Sequence, residues 1–463
     1  MANPFRALDF PLSNSWLGLM LFGRPSAHIT SVAVVAVVFC MAVNSAAQSS
    51  DKKVSLIAFT HVTIIDATGA PPRNDMTVVV SEGKITAIGQ TASVAVPVGA
   101  TVVNGTGKFL LPGFWDMHTH ISDYGVDALA LLVENGVTGV RDVGSDIWQI
   151  DNWRREIRSG ARPGPEILRA GPIVDGYNPD PEAHWRLTVT TAEAGHCAVE
   201  TLKMAFDVDL IKVHASLPRD AFFAIAEETR KRSIPLACHL PVRVSIQEAS
   251  NAGCTSIEHV AESFLESLMR SNKLKTVEEA TNALVSEPGL EIFQVLAKNK
   301  TWVDPTLVGY GVFVKMAEAC PTSEKSEWCK PPSEVNPEEV DARKAVMRRL
   351  EQAVGLMHKN GVRLLAGTDF SEKAEGLIPG VSLHQELQLL VQSGLTPMEA
   401  IQVGTRDSAE YLGLLAQRGT VEQGKIADLV LLNKDPLEDI ANTAAIDVVL
   451  ARGQMVTEQK LSN

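Results

Sequence analysis

Aromatic side chains are scarce, 5% of the 463 residues, which leaves little material for surfaces that stack nucleic-acid bases. A basic excess is lacking as well: Lys and Arg number 42 against 55 Asp and Glu, a net charge of −13. A uniform acidic excess repels nucleic acid and anionic membranes, so neither is expected as a partner. Cysteine is sparse, six in all, with no dense framework, so the fold must rest on a hydrophobic core. No apolar run reaches the ~20 residues of a membrane-spanning helix. No G-x-G-x-x-G follows an early strand, which weakens a dinucleotide-binding reading. Hydrophobic residues at 45% and charged residues at 21% describe an ordinary globular chain rather than a disordered, collagenous or coiled-coil one.

What is present begins with the N-terminus. Residues 32–43 (VAVVAVVFCMAV) form a short apolar core, preceded by Arg24 and His28 and followed by Ser45-Ala46-Ala47. This is the pattern of a cleaved export signal spanning 1–47, and it implies a periplasmic or secreted protein. An uncleaved anchor is the other reading of the same residues, and Met20 is an alternative start. Loss of Cys40 leaves Cys197, Cys238, Cys254, Cys320 and Cys329. Cys320 and Cys329 sit in one polar segment, and an oxidising compartment favours a local disulfide between them; two free thiols are the alternative.

Residues 48–107 read as strands and a hairpin with a turn at Glu82-Gly83. Residues 418–463 read the same way, with a turn at Arg452-Gly453. The economical interpretation is a small β-sandwich domain built from both chain ends. Between them, residues 108–417 alternate strands with amphipathic helices. Strand-like segments are FLLPGFWDMHTH, VTGVRDVG, EILRAGP, DLIKVHA, IPLACHL, SIEHV, TWVDPTL and RLLAGTD. Eight such βα units predict a (β/α)8 TIM barrel, with an open doubly wound sheet as runner-up. Residues 308–345 are polar and Pro-rich, and are read as an insertion or lid near the barrel mouth, or else a surface loop. Thr396, Pro397 and Glu399 form a capping box with Pro at the first helical position, which predicts a helix start after the eighth strand.

His118 and His120 form an H-x-H pair at the end of the first barrel strand, and alternation points both imidazoles the same way. His239 ends the fifth strand, His259 the sixth and Asp369 the eighth, while Lys212 lies in the fourth. These are the strand ends that carry barrel active sites. A lone strand histidine is usually a packed core residue, and a buried lysine is costly without a partner. Six such positions converging point to a metal site. Imidazoles and a carboxylate suit Zn²⁺, and also Mn²⁺, Co²⁺ or Fe²⁺. The set exceeds the three ligands usual for one catalytic zinc. Two divalent metal ions could share it if something bridges them; an ammonium cannot, but a lysine carbamate formed with carbon dioxide can.

The motifs GFWDMHTH, IKVH, ACH, IEH and AGTD, in that order, resemble the amidohydrolase superfamily. The closing GTVEQGKIADLVLLNKDPLEDI resembles its C-terminal signature. The resemblance covers roughly residues 54–457. It is nearest to the branch with a strand-four lysine, which includes imidazolonepropionase-like proteins, metal-dependent prolidases and Xaa-Arg/Lys dipeptidases. It implies that His118, His120 and Asp369 hold one metal, that His239 and His259 hold the other, and that carboxylated Lys212 bridges them. Trp115 and Asp304 occupy positions where more variable residues are expected, and no substrate-binding pattern transfers.

A hydroxide shared by two cations is a nucleophile near neutral pH, and Asp369 is positioned to carry the proton to the leaving nitrogen. The expected enzyme cleaves an amide or peptide-like C–N bond of a small molecule, an N-acyl amino acid or dipeptide for preference. Alternatives are a mononuclear heterocycle deaminase, against which Lys212 argues, a lactone or phosphotriester hydrolase, and a non-catalytic binding protein. Candidate substrate contacts are Arg141, whose other reading is an ion pair with Asp142 or Asp146, together with His214 and Tyr310. His184 lies in a loop after strand three. Asp116 either orients a histidine ligand or makes a strand-end hydrogen bond, and His384 and Glu386 fix the loop after strand eight. Homo-oligomerisation is left open.

Overall fold

The computed structural model describes residues 56–177, 185–318, 333, 335–373 and 376–456. The export-signal segment, His184 and the Cys320–Cys329 pair lie outside the described residues. The strands in chain order are β1 (Leu56–Ile64), β2 (Arg73–Ser81), β3 (Lys84–Gln90), β4 (Thr101–Asn104), β5 (Phe109–Pro112), β6 (Phe114–Thr119), β7 (Val137–Asp142) and β8 (Glu166–Arg169). They continue with β9 (Ile173–Asp175), β10 (Arg186–Thr188), β11 (Ile211–Val213), β12 (Leu236–Cys238), β13 (Ser256–Glu258), β14 (Trp302–Asp304), β15 (Leu429–Leu432), β16 (Ile446–Ala451) and β17 (Gln454–Met455).

One eight-stranded sheet draws on both ends of the chain, in the order β17-β16-β15-β5-β1-β2-β3, with β4 beside β1. Alternation sends Ile57 and Phe59 of β1, Val78 and Val80 of β2 and Leu429 and Leu431 of β15 into one small core. The other face of β15, Val430 and Leu432, packs into the large core of the α/β part. Both sequence-read turns are two-residue hairpin tips with left-handed backbone: Glu82 and Gly83 at φ 52° and 77°, Arg452 and Gly453 at φ 52° and 71°. The tips touch, because a Cβ built on Gly453 would lie 2.4 Å from the Gly83 Cα.

The middle of the chain is mixed α/β with parallel strands. β6, β7 and β8 form one sheet, and β10-β9-β11-β12-β13-β14 form another. Residues 363–370 run between the two. On one side Leu365 N donates to Val303 O of β14 (2.9 Å); on the other Met117 N of β6 donates to Ala366 O (2.9 Å), and Asp369 N donates to His118 O (2.8 Å). At the opposite border Asp209 N, just before β11, donates to Arg169 O of β8 (3.0 Å). The eight strand-like segments read from the sequence coincide with β5–β6, β7, β8, β11, β12, β13, β14 and 363–370.

Helix starts follow local chemistry. Ser245 and Glu248 form a reciprocal capping box on the helix Ile246–Ala252, and Thr396 and Glu399 do the same on Pro397–Gln402, with Pro397 in the first turn. Within the segment read as an insertion, Leu307–Ala317 is helical and a second helix begins at Pro337, capped by Asn336. A disulfide that spacing had not suggested joins Cys238, the last residue of β12, to Cys254, just before β13, with Cα atoms 6.3 Å apart. Among the described residues no helix is long and apolar enough to cross a membrane.

Candidate active site

β6 delivers His118, β11 delivers Lys212, and His120, His239 and His259 directly follow β6, β12 and β13. Asp369 closes the group from the segment hydrogen-bonded to β6. His118 Nε2 lies 3.2 Å from Lys212 Nζ and 3.3 Å from Asp369 Oδ1. His120 Nε2 lies 3.3 Å from the same Asp369 oxygen, and His259 Nδ1 is 3.6 Å from the other. The His259 ring centroid is 4.4 Å from that of His118 and 4.9 Å from that of His239. His120, Lys212, His239, His259 and Asp369 line one cavity of ≈ 340 Å³, and buried His118 touches two of them. All six residues singled out by the sequence are therefore together.

The tautomers of the H-x-H pair are fixed by their outer partners. His118 Nδ1 faces Glu258 Oε2 at 2.8 Å, and His120 Nδ1 faces the Gly144 carbonyl at 2.7 Å. A carbonyl only accepts, and so does an ionised carboxylate, so each Nδ1 carries a proton, which leaves Nε2 as the ligating atom of the neutral ring on the cavity side. Burial opposes ionisation of Glu258, but the adjacent Arg141 and Lys212 charges outweigh it and hold the carboxyl below its usual range.

Burial pulls His118 and His239 well below the usual imidazole range, and His259 down to about 4. Burial also opposes protonation of His120, but the Asp369 hydrogen bond and charge outweigh it and move it upward. For Asp369, burial is outweighed by His259, His118 and His120, which keep it well below the usual carboxylate range. Lys212 is pushed down to about 8 by burial, which enlarges the fraction of free amine. Neutral rings at His118, His239 and His259, a His120 whose Nε2 would exchange its Asp369 contact for a metal, one ionised carboxylate and a lysine able to lose its proton are a donor set that fits divalent metal. His118, His259 and Asp369 place ligand atoms within 4.8 Å of one another.

Three residues of the site carry strained backbone. His259, Thr306 and Asp369 adopt φ of 61°, 48° and 61°, the left-handed region that non-glycine residues avoid. Thr306 Oγ1 lies 3.0 Å from His259 Nδ1, so the unusual backbone of one element supports the ring of another.

Arg141 is not at the mouth. It is fully buried, and its guanidinium bonds Met117 O, Ser256 (2.9 Å), Tyr411 (3.0 Å), Glu258 (2.7 Å) and Asp304 (3.1 Å). The expected substrate contact is thus replaced by an internal clamp, and its ion-pair partners are Glu258 and Asp304 rather than Asp142 or Asp146. Burial pushes Asp304 well above the usual carboxylate range. His214 lines the same cavity, its ring 4.2 Å from that of His239 and its Nδ1 3.3 Å from Asp175 Oδ2. Tyr310 lines an adjoining apolar cavity.

Asp116 takes the strand-end role: it accepts from His118 N and from the backbone and hydroxyl of Thr368. Glu386 accepts from Leu307 N and Val308 N, and His384 binds Thr443 and the Asn135 carbonyl; both fix loops. Sequence reading missed Glu258, Asp175, Arg186 and Glu262. Glu258 shares the inward face of β13 with Ser256 and was there to be found by alternation. Arg186 opens β10 and carried no signal.

Residues 109–456 match the amidohydrolase family. An ochratoxinase of Aspergillus niger is 26% identical, over 87% of this chain and 88% of the relative. The fold matches the crystal structure of A. niger ochratoxinase with a TM-score of 0.64 at 19% identity, covering 87% of this chain and 95% of that one. A Xaa-Pro dipeptidase structure with bound methionine matches with a TM-score of 0.66 at 20% identity, over 87% of this chain and 99% of that one.

Proposed function

The chain belongs to the amidohydrolase family and is a hydrolase of C–N bonds; from that premise we propose that it is an exported binuclear metallohydrolase cleaving an amide of an N-acyl amino acid or dipeptide. The observation that carries the reading is the convergence of Lys212 and Asp369 on His118 Nε2, at 3.2 and 3.3 Å, in one cavity with His120, His239 and His259. His118, His120 and Asp369 would hold one metal, His239 and His259 the second, and Lys212, as its carbamate, would bridge. Zinc suits this donor set, as do Mn²⁺, Co²⁺ and Fe²⁺.

The scaffold in this reading is a (β/α)8 barrel over residues 108–417, flanked by a small β-sandwich domain from 48–107 and 418–463. The hydrogen bonds of 363–370 to β14 and β6, and of Asp209 to β8, support closure. Residues 1–47 are the export signal, and the Cys238–Cys254 disulfide supports an oxidising destination.

When bound, the metals acidify a water and polarise the scissile carbonyl. The chain's own residues do the rest. Asp369, kept ionised by its histidine neighbours, accepts the water's proton on a carboxylate oxygen and delivers it to the leaving nitrogen, without which an amide amine leaves poorly. Glu258 and the Gly144 carbonyl hold the His118 and His120 rings in the ligating tautomer. Arg141 keeps Glu258 ionised and immobile beneath the site.

The test is amine release from a panel of N-acyl amino acids, dipeptides and ochratoxin by metal-loaded protein. Release from at least one amide supports the reading. Turnover confined to lactones, phosphotriesters or heterocyclic amines overturns it.

A further inference from the structure

Two chambers meet at the candidate metal site. The first is the ≈ 340 Å³ cavity that holds the ligand set, and its outer wall carries Trp185 and Arg186. The second, of ≈ 280 Å³, lies against the helix Leu307–Ala317 and is walled by Ala261, Val312, Phe313, Met316 and Leu377, with Tyr310 at its side. His259, Glu262 and Asp369 line both. The bond to be cut lies where the chambers join, so the two halves of a substrate enter different surroundings.

We infer that the substrate is an amide joining an apolar acyl group, held in the chamber by Phe313 and Met316, to an amino acid whose carboxylate is held by Arg186. This rests on the amide-hydrolase reading above. Arg186 is built to bind rather than merely to solubilise. Its NH1 is anchored on Asp175 Oδ2 at 2.6 Å, and its guanidinium lies over the Trp185 ring, 4.9 Å from the centroid. Asp175 is itself buried and held by Gly176 N, Ser216 N and the nearby His214. A guanidinium has five N–H donors, and this anchor uses one. Nε is buried without a hydrogen-bond partner, so the Nη1–Nη2 edge is the part that can meet a carboxylate, and 17% of the side chain stays accessible.

The acids of the site set the orientation. Glu262 stands at the junction and offers a substrate carboxylate no positive partner on the way into the apolar chamber. Asp123 and Glu372 also line the first cavity, so an anion is favoured at Arg186 and not across the chamber at large. An apolar group in the second chamber gains by leaving water, and a smaller group leaves that volume unfilled.

The experiment uses non-hydrolysable ketones in which a methylene replaces the amide nitrogen, so binding is read without turnover. Benzoylpropionate, its carboxamide benzoylpropionamide, and levulinate are titrated calorimetrically into metal-loaded wild type, Arg186→Gln, Arg186→Lys and Met316→Trp. Wild type is expected to bind benzoylpropionate about tenfold or more tighter than the carboxamide, and about tenfold or more tighter than levulinate. Arg186→Gln should bring the first ratio close to unity and spare the second. Arg186→Lys should keep part of the first ratio, since charge remains but the fork is lost. Met316→Trp should collapse the second ratio and spare the first. Equal weakening of acid and carboxamide by Arg186→Gln, or a carboxamide that binds wild type as well as the acid, overturns the inference. If no amide is ever cleaved, the function proposed above fails, and these ratios still decide where carboxylate and apolar group bind.

Discussion

Glu258 Oε2 lies 2.8 Å from His118 Nδ1, on the side of the imidazole away from the cavity. A ligand histidine whose far nitrogen is held in this way presents a fixed lone pair, and such outer partners matter nearly as much as the ligands themselves. Glu258→Gln is therefore expected to lower the metal affinity of the folded protein by about 10–100-fold, alongside a loss of stability because the buried Arg141 loses its charged partner. Competition with a calibrated chelator measures it. Unchanged affinity would remove Glu258 from the site.

Arg141 and Glu258 are both fully buried and joined at 2.7 Å. Removing the cation strands the ionised Glu258 without compensation, and breaking such a pair costs about 3–5 kcal/mol. Arg141→Met should lose that much in a reversible denaturant titration. A variant of normal stability with only a raised KM would return Arg141 to the role of substrate contact.

Asp369→Asn keeps the shape but neither accepts the water's proton nor returns it to nitrogen. Loss of general acid–base function should cost about 10²–10⁴-fold in kcat, while metal binding persists in part. Turnover above a few per cent of wild type would move the proton shuttle elsewhere.

Glu248 is held down to about 2, chiefly by its hydrogen bond to Arg219. The folded carboxyl is more acidic than the unfolded one, so its contribution is complete above the unfolded value near 4.5 and fades as pH falls towards 2. The pair is largely exposed, which keeps the effect small. Wild type should exceed Glu248→Gln in thermal midpoint at pH 7, and the gap should narrow by pH 3. A gap that widens on acidification would contradict the assignment.

The site was legible because its residues end strands. H-x-H, ACH, IEH and GTD place donors at positions that alternation aims one way, and parallel pairing collects them. The helix start at Thr396 and the hairpin tips at Gly83 and Gly453 were legible for a similar reason, since each depends on residues within one turn. Depth was not legible. Alternation gives the face on which Arg141 lies, but not whether that face meets solvent or a layer of acids below the candidate site. The Cys238–Cys254 bond was hidden because the two residues are sixteen apart and meet only once β12 lies beside β13. Glu258 was overshadowed by the histidine that follows it.

The central claim is that Lys212 joins two metals. Metal per chain, measured on protein supplied with zinc or manganese and bicarbonate, tests it most directly, with Lys212→Ala alongside. Close to two equivalents for wild type and fewer for the variant is the expected result. Close to one equivalent under metal excess, or two equivalents and full activity in Lys212→Ala, would contradict the bridge.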